Sequence, residues 1–175
     1  MKARGNFELA ILRPTAVFGP GGRNLLKLAH DLSQGPRLAN YLRSCINDRR
    51  RMHLAGVENV IAAAAFLLET QARVDQEVFI ISDDDAPENN FRDVEHYLMR
   101  AFRIPDYVLP RVTLPGAILS MLLRLRGRSL IGPDTVFASR KLEHLGFRKP
   151  VKFATSLAIF VEWYRSALAS EKRPG

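Results

Sequence analysis

The side chains best suited to chemistry in this sequence are three consecutive arginines, Arg49 to Arg51, with His53 close behind them. A guanidinium presents N–H donors in a planar fork that matches the oxygens of a phosphate. The run is therefore interpreted as a candidate anion site, although an exposed charged surface has the same pattern and no single arginine stands out. His53 is interpreted as structural, since no carboxylate at a recognisable spacing marks it as a general base.

Two further features could suggest a metal or thiol site but lack the required pattern. Asp83, Asp84 and Asp85 are consecutive, whereas a calcium-binding loop alternates its ligands and ends on a glutamate. Cys45 is the only cysteine, so it forms neither an internal disulfide nor a cysteine-based metal site. We therefore predict no metal, and the cysteine usage favours a cytoplasmic location.

Two longer segments carry a recognisable pattern. Residues 13–21 read Arg-Pro-Thr-Ala-Val-Phe-Gly-Pro-Gly, and residues 134–147 read Asp-Thr-Val-Phe-Ala-Ser-Arg-Lys-Leu-Glu-His-Leu-Gly-Phe. In this order they resemble the C-terminal, substrate-side half of the extended short-chain dehydrogenase/reductases, the NAD(P)-dependent epimerase/dehydratase family. The similarity spans roughly Phe7 to Tyr164. It includes Val-Glu-Asn-Val-Ile-Ala-Ala at 57–63 and Val-Phe-Ile-Ile-Ser-Asp at 78–83.

The catalytic and cofactor-binding signatures of that family are missing. The family binds its dinucleotide with a Gly-x-x-Gly-x-x-Gly turn, but from Gly19 the glycine spacing fails at Leu25. It transfers protons with Tyr-x-x-x-Lys, but lysine follows none of the four tyrosines at that spacing. The residues found there are Cys45, Ala101, Arg111 and Leu168. We therefore assign no catalytic residue and expect that this chain alone binds neither NAD nor NADP.

The resemblance also implies which residues line a ligand. Pro14 and Phe18 correspond to positions beside the nicotinamide end of the cofactor. The position of Ala16 contacts the substrate, and many nucleotide-sugar enzymes have asparagine there, whereas alanine offers no hydrogen-bonding group.

The arginines of residues 49–51 match a family contact to the substrate diphosphate. A second family arginine, before Asp134, is replaced by Ile131. Arg128 is then the nearest basic candidate for that contact.

Charge is unevenly distributed along the 175 residues, which carry a net charge of +8. Residues 1–55 and 103–152 each carry ten Lys/Arg against three Asp/Glu, while residues 75–95 carry eight acids and one base. Basic segments suit an anionic ligand or a solvated surface. Nucleic acid is disfavoured, because zinc and aromatic RNA-binding patterns are absent.

A membrane span is not expected, since the apolar run Leu114–Leu125 is short and interrupted. Met1 is followed by no apolar signal segment.

Short apolar runs at 8–12 and 78–81 predict buried parallel strands. Helical periodicity predicts helices around 25–32, 57–68, 91–101, 139–145 and 157–168, with Asn90 as an N-cap. The fold class is therefore α/β: an incomplete NAD(P)-binding Rossmann-type fold with remnant parallel strands and a mostly helical substrate-binding domain. Residues 1–21 are assigned to the Rossmann-type part. Residues 22–170 are assigned to the substrate-binding part, with 76–82 returning a strand to the sheet and 171–175 fraying.

The resemblance implies the substrate-binding portion of an epimerase/dehydratase-like oxidoreductase or isomerase. Its substrate would be a nucleotide-activated sugar and its family cofactor NAD or NADP. The chain alone is expected to be inactive, as a truncated product, one half of a split enzyme or a stand-alone domain. Its expected partners are a separate N-terminal half or a second copy. The alternatives are part of a steroid- or flavonoid-type reductase, or a non-catalytic interaction module.

Overall fold

The structure is a computed structural model that describes residues 9–110 and 135–171. Arg128, Ile131, Asp134 and the run Leu114–Leu125 lie outside the described residues. The strands are β1 (Ala10–Pro14), β2 (Ala16–Phe18), β3 (Leu54–Gly56) and β4 (Glu77–Ile81). The helices are α1 (Arg23–Gln34), α2 (Arg37–Asn47), α3 (Val57–Glu69), α4 (Phe91–Ala101), α5 (Arg140–His144) and α6 (Phe153–Glu171).

The strands form two parallel pairs. β1 pairs with β4, with Ala10 opposite Glu77 and Pro14 opposite Ile81. β2 pairs with β3, with Ala16 opposite Leu54. The predicted α/β class with short parallel strands is confirmed. The sequence did not reveal β2 or β3, since three residues are too few to establish a periodicity.

Thr15 is the point at which the chain changes partner. Its N–H donates to the carbonyl of Ile81 at 3.1 Å, at the end of β4. The next N–H, that of Ala16, donates instead to the carbonyl of His53 at 2.9 Å, just before β3. β1 and β2 are thus nearly continuous, and this switch places the start of β3 beside the carboxyl ends of β1 and β4.

Two hydrophobic clusters hold these elements together. The larger one joins α1, α4 and α6 to β2, with Phe18, Leu25, Leu98 and Phe160 fully buried. The smaller one packs α3 and α5 against β4 through residues that include Ala63, Ile81 and Leu142. The described part of the chain therefore has enough apolar contact to hold its strand ends in place.

α1, α4 and α6 bury the apolar stripes predicted for them, whereas α3 leaves Ile61 and Leu68 of its predicted stripe exposed. α1 buries Leu25, Leu28, Ala29 and Leu32, as expected. Asn90 caps α4 by accepting a hydrogen bond from the N–H of Asp93 at 3.0 Å, which confirms the predicted cap. α2 was not predicted. Its buried residues are Asn40, Ser44 and Cys45, so its inner face lacks an apolar stripe.

Asn59 makes several polar contacts at the start of α3. The N-cap of α3 is Gly56, and Asn59 is fully buried in the first turn of the helix. Its amide donates to the carbonyl of Val151 at 3.0 Å and accepts from the N–H of Val151 at 3.1 Å. It also donates to Asp83 at 3.1 Å. Asn59 therefore joins α3 to the chain entering α6.

Replacing Asn59 with alanine should lower the free energy of unfolding by about 2 to 4 kcal/mol, because buried polar partners would lose their hydrogen bonds. Denaturant titration measures this change. Asn47→Ala is the control, since its amide bonds only to the carbonyl of Arg43 within its own helix. The control should change stability by about 0.5 kcal/mol or less. Equal effects of the two substitutions would contradict the bridging role of Asn59.

Candidate functional site

The loop that follows β2 is shaped by a close approach to α3. Gly19 has a φ of +154°, and a Cβ atom there would lie 2.3 Å from Cγ1 of Val57. Only glycine fits this contact. The N–H of Gly22 donates to the carbonyl of Gly19 at 3.0 Å and closes the turn that leads into α1. Asn24 supports the same loop by donating to the carbonyl of Val17 at 2.5 Å.

The three loop residues singled out in the sequence lie in different environments. Pro14 is exposed at the end of β1. Ala16 is partly buried in β2. Phe18 has no exposed surface and packs edge-on against Phe153, with 5.6 Å between ring centroids. In the structure, Phe18 anchors the loop while Pro14 faces outward.

The arginine run lies just before β3, and the β2–β3 pairing brings it near Ala16. Arg51 donates from Nη1 to the main-chain carbonyl of Asp84 at 2.8 Å. Arg50 is partly buried, and its carbonyl accepts a bond from the N–H of Phe91 at 2.9 Å. Arg49 is exposed. The structure thus gives Arg51 an internal role and leaves Arg49 the most accessible of the three.

A hydrogen-bonded pair, His53 and Asp84, follows this run and had no signal in the sequence. Nδ1 of His53 lies 2.7 Å from the carboxylate of Asp84, whose side chain is fully buried. The same carboxylate oxygen accepts a bond from the N–H of Phe137 at 2.9 Å. The His53 ring also lies edge-on to the Phe137 ring, with 5.0 Å between centroids. The two residues are separated by 31 positions, so only the fold brings them together.

Asp83 also points inward. Its carboxylate accepts bonds from the N–H of Gly56 at 2.8 Å and from Asn59, and it lies 3.3 Å from Nζ of Lys149. Asp85 is largely exposed and contacts Lys149 from outside. Within residues 9–110 and 135–171, no group of three His, Cys, Asp or Glu residues could hold a metal ion. Asp83 and Asp84 instead hold neighbouring segments together.

Asp84→Asn and Asp85→Asn provide a matched comparison of a buried and an exposed carboxylate. The first should lower the free energy of unfolding by about 3 kcal/mol or more, because it leaves the buried partners of Asp84 unsatisfied. The second should cost less than about 1 kcal/mol, as expected for an exposed pair. Thermal and denaturant melts test both. Similar losses for the two variants would show that burial of Asp84 contributes little.

A groove of about 710 Å³ runs between α1 and α6. Its apolar surface comes mainly from Leu26, Trp163 and Leu168, and charged side chains of α1 border it. The lining residues are Gly21, Arg23, Leu26, Lys27, His30, Asp31, Trp163, Tyr164, Ala167 and Leu168.

Asp31, on this border, links α1 to α2 through an ion pair with Arg43 at 2.7 Å. Burial acts to raise the pKa of Asp31, but hydrogen bonds from Arg43 and Lys27 outweigh it and lower the pKa below its ordinary value. The Asp31 carboxylate is therefore stabilised in its charged form where the two helices meet.

Asp31→Asn should reduce stability near neutral pH by up to about 1 kcal/mol, since the Arg43 pair is only partly shielded. Because folding lowers the Asp31 pKa, this stabilisation is present above the ordinary value of 3.8 and is lost as pH falls through the folded value. The stability difference between wild type and variant should therefore shrink as the pH falls below 3.8 and vanish below the folded pKa of Asp31. Urea titrations at neutral and acid pH measure it. A difference that persisted in acid would exclude the ion pair as its cause.

Comparison with known proteins finds no matching family model and no matching curated protein. Several solved structures share the fold. One is a UDP-glucuronic acid 4-epimerase from Bacillus cereus in complex with UDP-glucuronic acid and NAD, with 16% identity and a TM-score of 0.52. Another is a dTDP-glucose 4,6-dehydratase from Bacillus anthracis in complex with NAD, with 14% identity and a TM-score of 0.53. A third is the Bordetella bronchiseptica enzyme WbmF in complex with NAD+ and UDP, with 15% identity and a TM-score of 0.53.

The coverage of these matches is unequal. They cover 90%, 90% and 92% of this chain but only 45%, 44% and 46% of the three enzymes, in the same order. The chain thus spans less than half the length of the structures it matches. At this level of identity the likeness establishes the fold, which is a partial Rossmann-like α/β arrangement. None of the helices in the described ranges is long and apolar enough to cross a membrane.

Proposed function

We propose that this chain is the substrate-binding portion of an NAD-dependent epimerase/dehydratase-like enzyme whose substrate is a nucleotide-activated sugar. The observation that carries the proposal is the shared fold with nucleotide-sugar enzymes over nine-tenths of the chain. Two motifs that resemble the epimerase/dehydratase family, at 13–21 and 134–147, support the same assignment. The proposal places substrate binding in the part of the fold that contains these motifs and the arginine run.

The placement of these residues suits ligand binding. In open α/β sheets, ligands bind beyond the carboxyl ends of parallel strands. β1 ends at Pro14 and β4 at Ile81, and the Gly19 loop and the start of β3 lie beyond them. Arg49 is exposed in the segment that leads into β3, and the carbonyl of the adjacent Arg50 accepts a bond from the N–H of Phe91 at the start of α4. The proposal assigns these two arginines to the substrate diphosphate and retains Arg128, from the sequence alone, as a third contact.

The remaining candidates receive more specific roles under this proposal. Pro14, which is exposed, lies nearest the cofactor, and Phe18 fixes the loop through packing. Arg51 donates to the carbonyl of Asp84 and thereby fixes the position of the segment that carries the arginines. The N–H of Ala16 already donates to the carbonyl of His53. Ala16 therefore offers only its methyl group to the substrate.

NAD in this reaction would accept and return a hydride, but this chain does not hold it alone. A dinucleotide site needs free N–H groups in a glycine-rich turn between a strand and a helix. Within the described ranges, Gly19–Gly22 is the one such turn with several glycines, and the N–H of Gly22 is bonded to Gly19. The residues present therefore do not fit a dinucleotide pyrophosphate. The proposal leaves cofactor binding and proton transfer to the remainder of the fold.

An apolar surface beside β1 supports the proposal that another part of the enzyme packs against this strand. In the described part of the chain, β1 pairs with β4 alone, and its opposite edge carries no strand. Leu9, just before β1, and Ile11, within it, are exposed, and Ile61 and Leu68 are exposed on the adjacent α3. Open strand edges and exposed apolar patches are typical of interaction surfaces. The proposal assigns this surface to the dinucleotide-binding half of the enzyme, in the same or a separate chain.

Ala16 favours a second candidate, a reductase of steroid- or flavonoid-like ketones. An alanine methyl group beside the substrate suits an apolar ring better than a sugar hydroxyl. Under this alternative, the arginines are surface residues and the chain binds no nucleotide diphosphate. The following test distinguishes the two candidates.

Titration of the full chain with UDP, followed by NMR or calorimetry, should show binding that Arg49→Ala and Arg50→Ala each weaken by about tenfold. A charge-assisted contact contributes about 1.5 to 3 kcal/mol, and each ~1.4 kcal/mol is a factor of ten. Arg140→Ala is the matched control, since it removes an exposed arginine from α5. The control should bind UDP normally.

NAD titrated under the same conditions should show no binding. Unchanged UDP affinity in the variants of Arg49, Arg50 and Arg128 would remove the diphosphate assignment and favour the ketone reductase. Stoichiometric NAD binding at micromolar concentration would contradict the proposal that the cofactor is held by the rest of the fold and not by this chain.

A further inference from the structure

α2 is oriented with its apolar side outward. Leu38, Leu42 and Ile46 recur every four residues and form one stripe along the helix. Leu38 is 67% exposed and Leu42 52% exposed, while Ile46 is also exposed. The residues that α2 buries are mainly polar, namely Asn40 and Ser44. This arrangement is the reverse of an ordinary surface helix, which buries its apolar stripe.

Specific hydrogen bonds maintain this orientation. Asn40 donates from its side chain to the main-chain carbonyl of Asp31 at 2.6 Å. Ser44 donates to the carboxylate of Glu95 at 2.6 Å, inside the protein. Rotating the leucines inward would break both bonds and leave the buried Glu95 without the Ser44 hydroxyl. The polar contacts of α2 therefore keep its apolar stripe on the surface.

The apolar surface extends beyond α2. The hydroxyl of Tyr41 donates to the carbonyl of Pro110 at 2.8 Å, and the Tyr41 and Tyr107 rings lie 5.5 Å apart. These contacts hold the segment 107–110 alongside the helix, with Val108 and Leu109 exposed. We define the outward patch as Leu38, Leu42, Ile46, Val108 and Leu109. These are five of the ten exposed large hydrophobic residues in the described part of the chain.

Positive charge borders the outward patch. Arg37 begins α2 and donates to the carbonyls of Pro105 and Asp106, and the exposed Arg49 follows the end of the helix. Of the nearby acids, Asp31 pairs with Arg43, Asp48 pairs with Arg92, and the exposed Asp106 lies 3.8 Å from His96. The chain as a whole carries a net charge of +8. An occupant of the patch therefore has to be apolar in part and negative at its rim.

We propose that the outward patch lies on an anionic lipid surface, with α2 parallel to the membrane. Leucine and valine side chains enter the boundary between headgroups and acyl chains, while the bordering arginines contact lipid phosphates. A second copy is a poorer occupant, because a two-fold contact would bring the same arginines of both chains together. This inference shares Arg49 with the proposed diphosphate site, but it rests on the apolar stripe of α2 and does not depend on that site.

Sedimentation with vesicles tests the proposal on the full chain. The protein should bind vesicles of phosphatidylcholine mixed with phosphatidylglycerol, and it should bind phosphatidylcholine vesicles much more weakly. Binding should weaken with salt, because the screening length falls from about 10 Å at 0.1 M to about 3 Å at 1 M. The Leu38→Ser/Leu42→Ser variant should partition about tenfold or more weakly, having lost two apolar side chains from the lipid boundary.

The matched control is Ile61→Ser/Leu68→Ser, which removes two exposed apolar side chains from α3. It should bind the mixed vesicles like wild type. Absence of binding to the mixed vesicles, or equal loss in both variants, would overturn the proposal. So would a wild-type dimer in light scattering that the Leu38/Leu42 variant dissociates, which would identify a second copy as the occupant. A large fall in the melting temperature of that variant would show instead that another part of this chain covers the patch.

Discussion

The arrangement of the described residues depends on two buried carboxylates that follow β4. Asp84 binds His53 and the N–H of Phe137, and Asp83 binds Gly56, Asn59 and Lys149. Burying a carboxylate is costly unless donors surround it. Here the donors come from β3, α3 and two segments near α5, so satisfying the charges requires those elements to meet. The two aspartates therefore favour the one tertiary arrangement in which all of these donors surround them.

This arrangement also determines which charged groups remain accessible. Arg51 is directed to the carbonyl of Asp84, and His53 to its carboxylate. Arg49 stays exposed because it precedes these contacts. A run of three similar residues is thus divided by the fold into an internal group and an external one. The proposed diphosphate site uses the exposed Arg49, while the contact of Arg51 with Asp84 holds the same segment in place.

Among residues 9–110 and 135–171, two apolar surfaces remain exposed, and they differ in origin. The surface of β1 and α3 is an open strand edge with neighbouring apolar side chains, as expected where a sheet continues into another part of a fold. The outward patch belongs to a helix whose polar side is held inward by Asn40 and Ser44. The first surface is explained by an incomplete sheet. The second has no such explanation and is bordered by arginines, which is why we assign it to a lipid surface.

The sequence alone determined the elements with a strong local pattern. The strand β4, the stripe of α1 and the Asn90 cap of α4 each follow from neighbouring residues, because burial and capping act within a few positions. β1 forms a parallel strand as predicted, but the expectation that it is buried is wrong, since most of its residues are exposed. The α/β class could be predicted for the same reason. The arginine run could be identified as an anion site only in outline, since its three members are chemically alike.

Only the tertiary structure decided the remainder. The His53–Asp84 and Asn59–Val151 contacts join residues 31 and 92 positions apart, and no local pattern announces such pairs. The sequence carries the apolar stripe of α2, Leu38, Leu42 and Ile46, but only the fold decides that this stripe lies on the surface. The shortness of β2 and β3 hid them. Long-range polar contacts and partner exchange between strands depend on the whole fold, so they could not be derived from the sequence of any one segment.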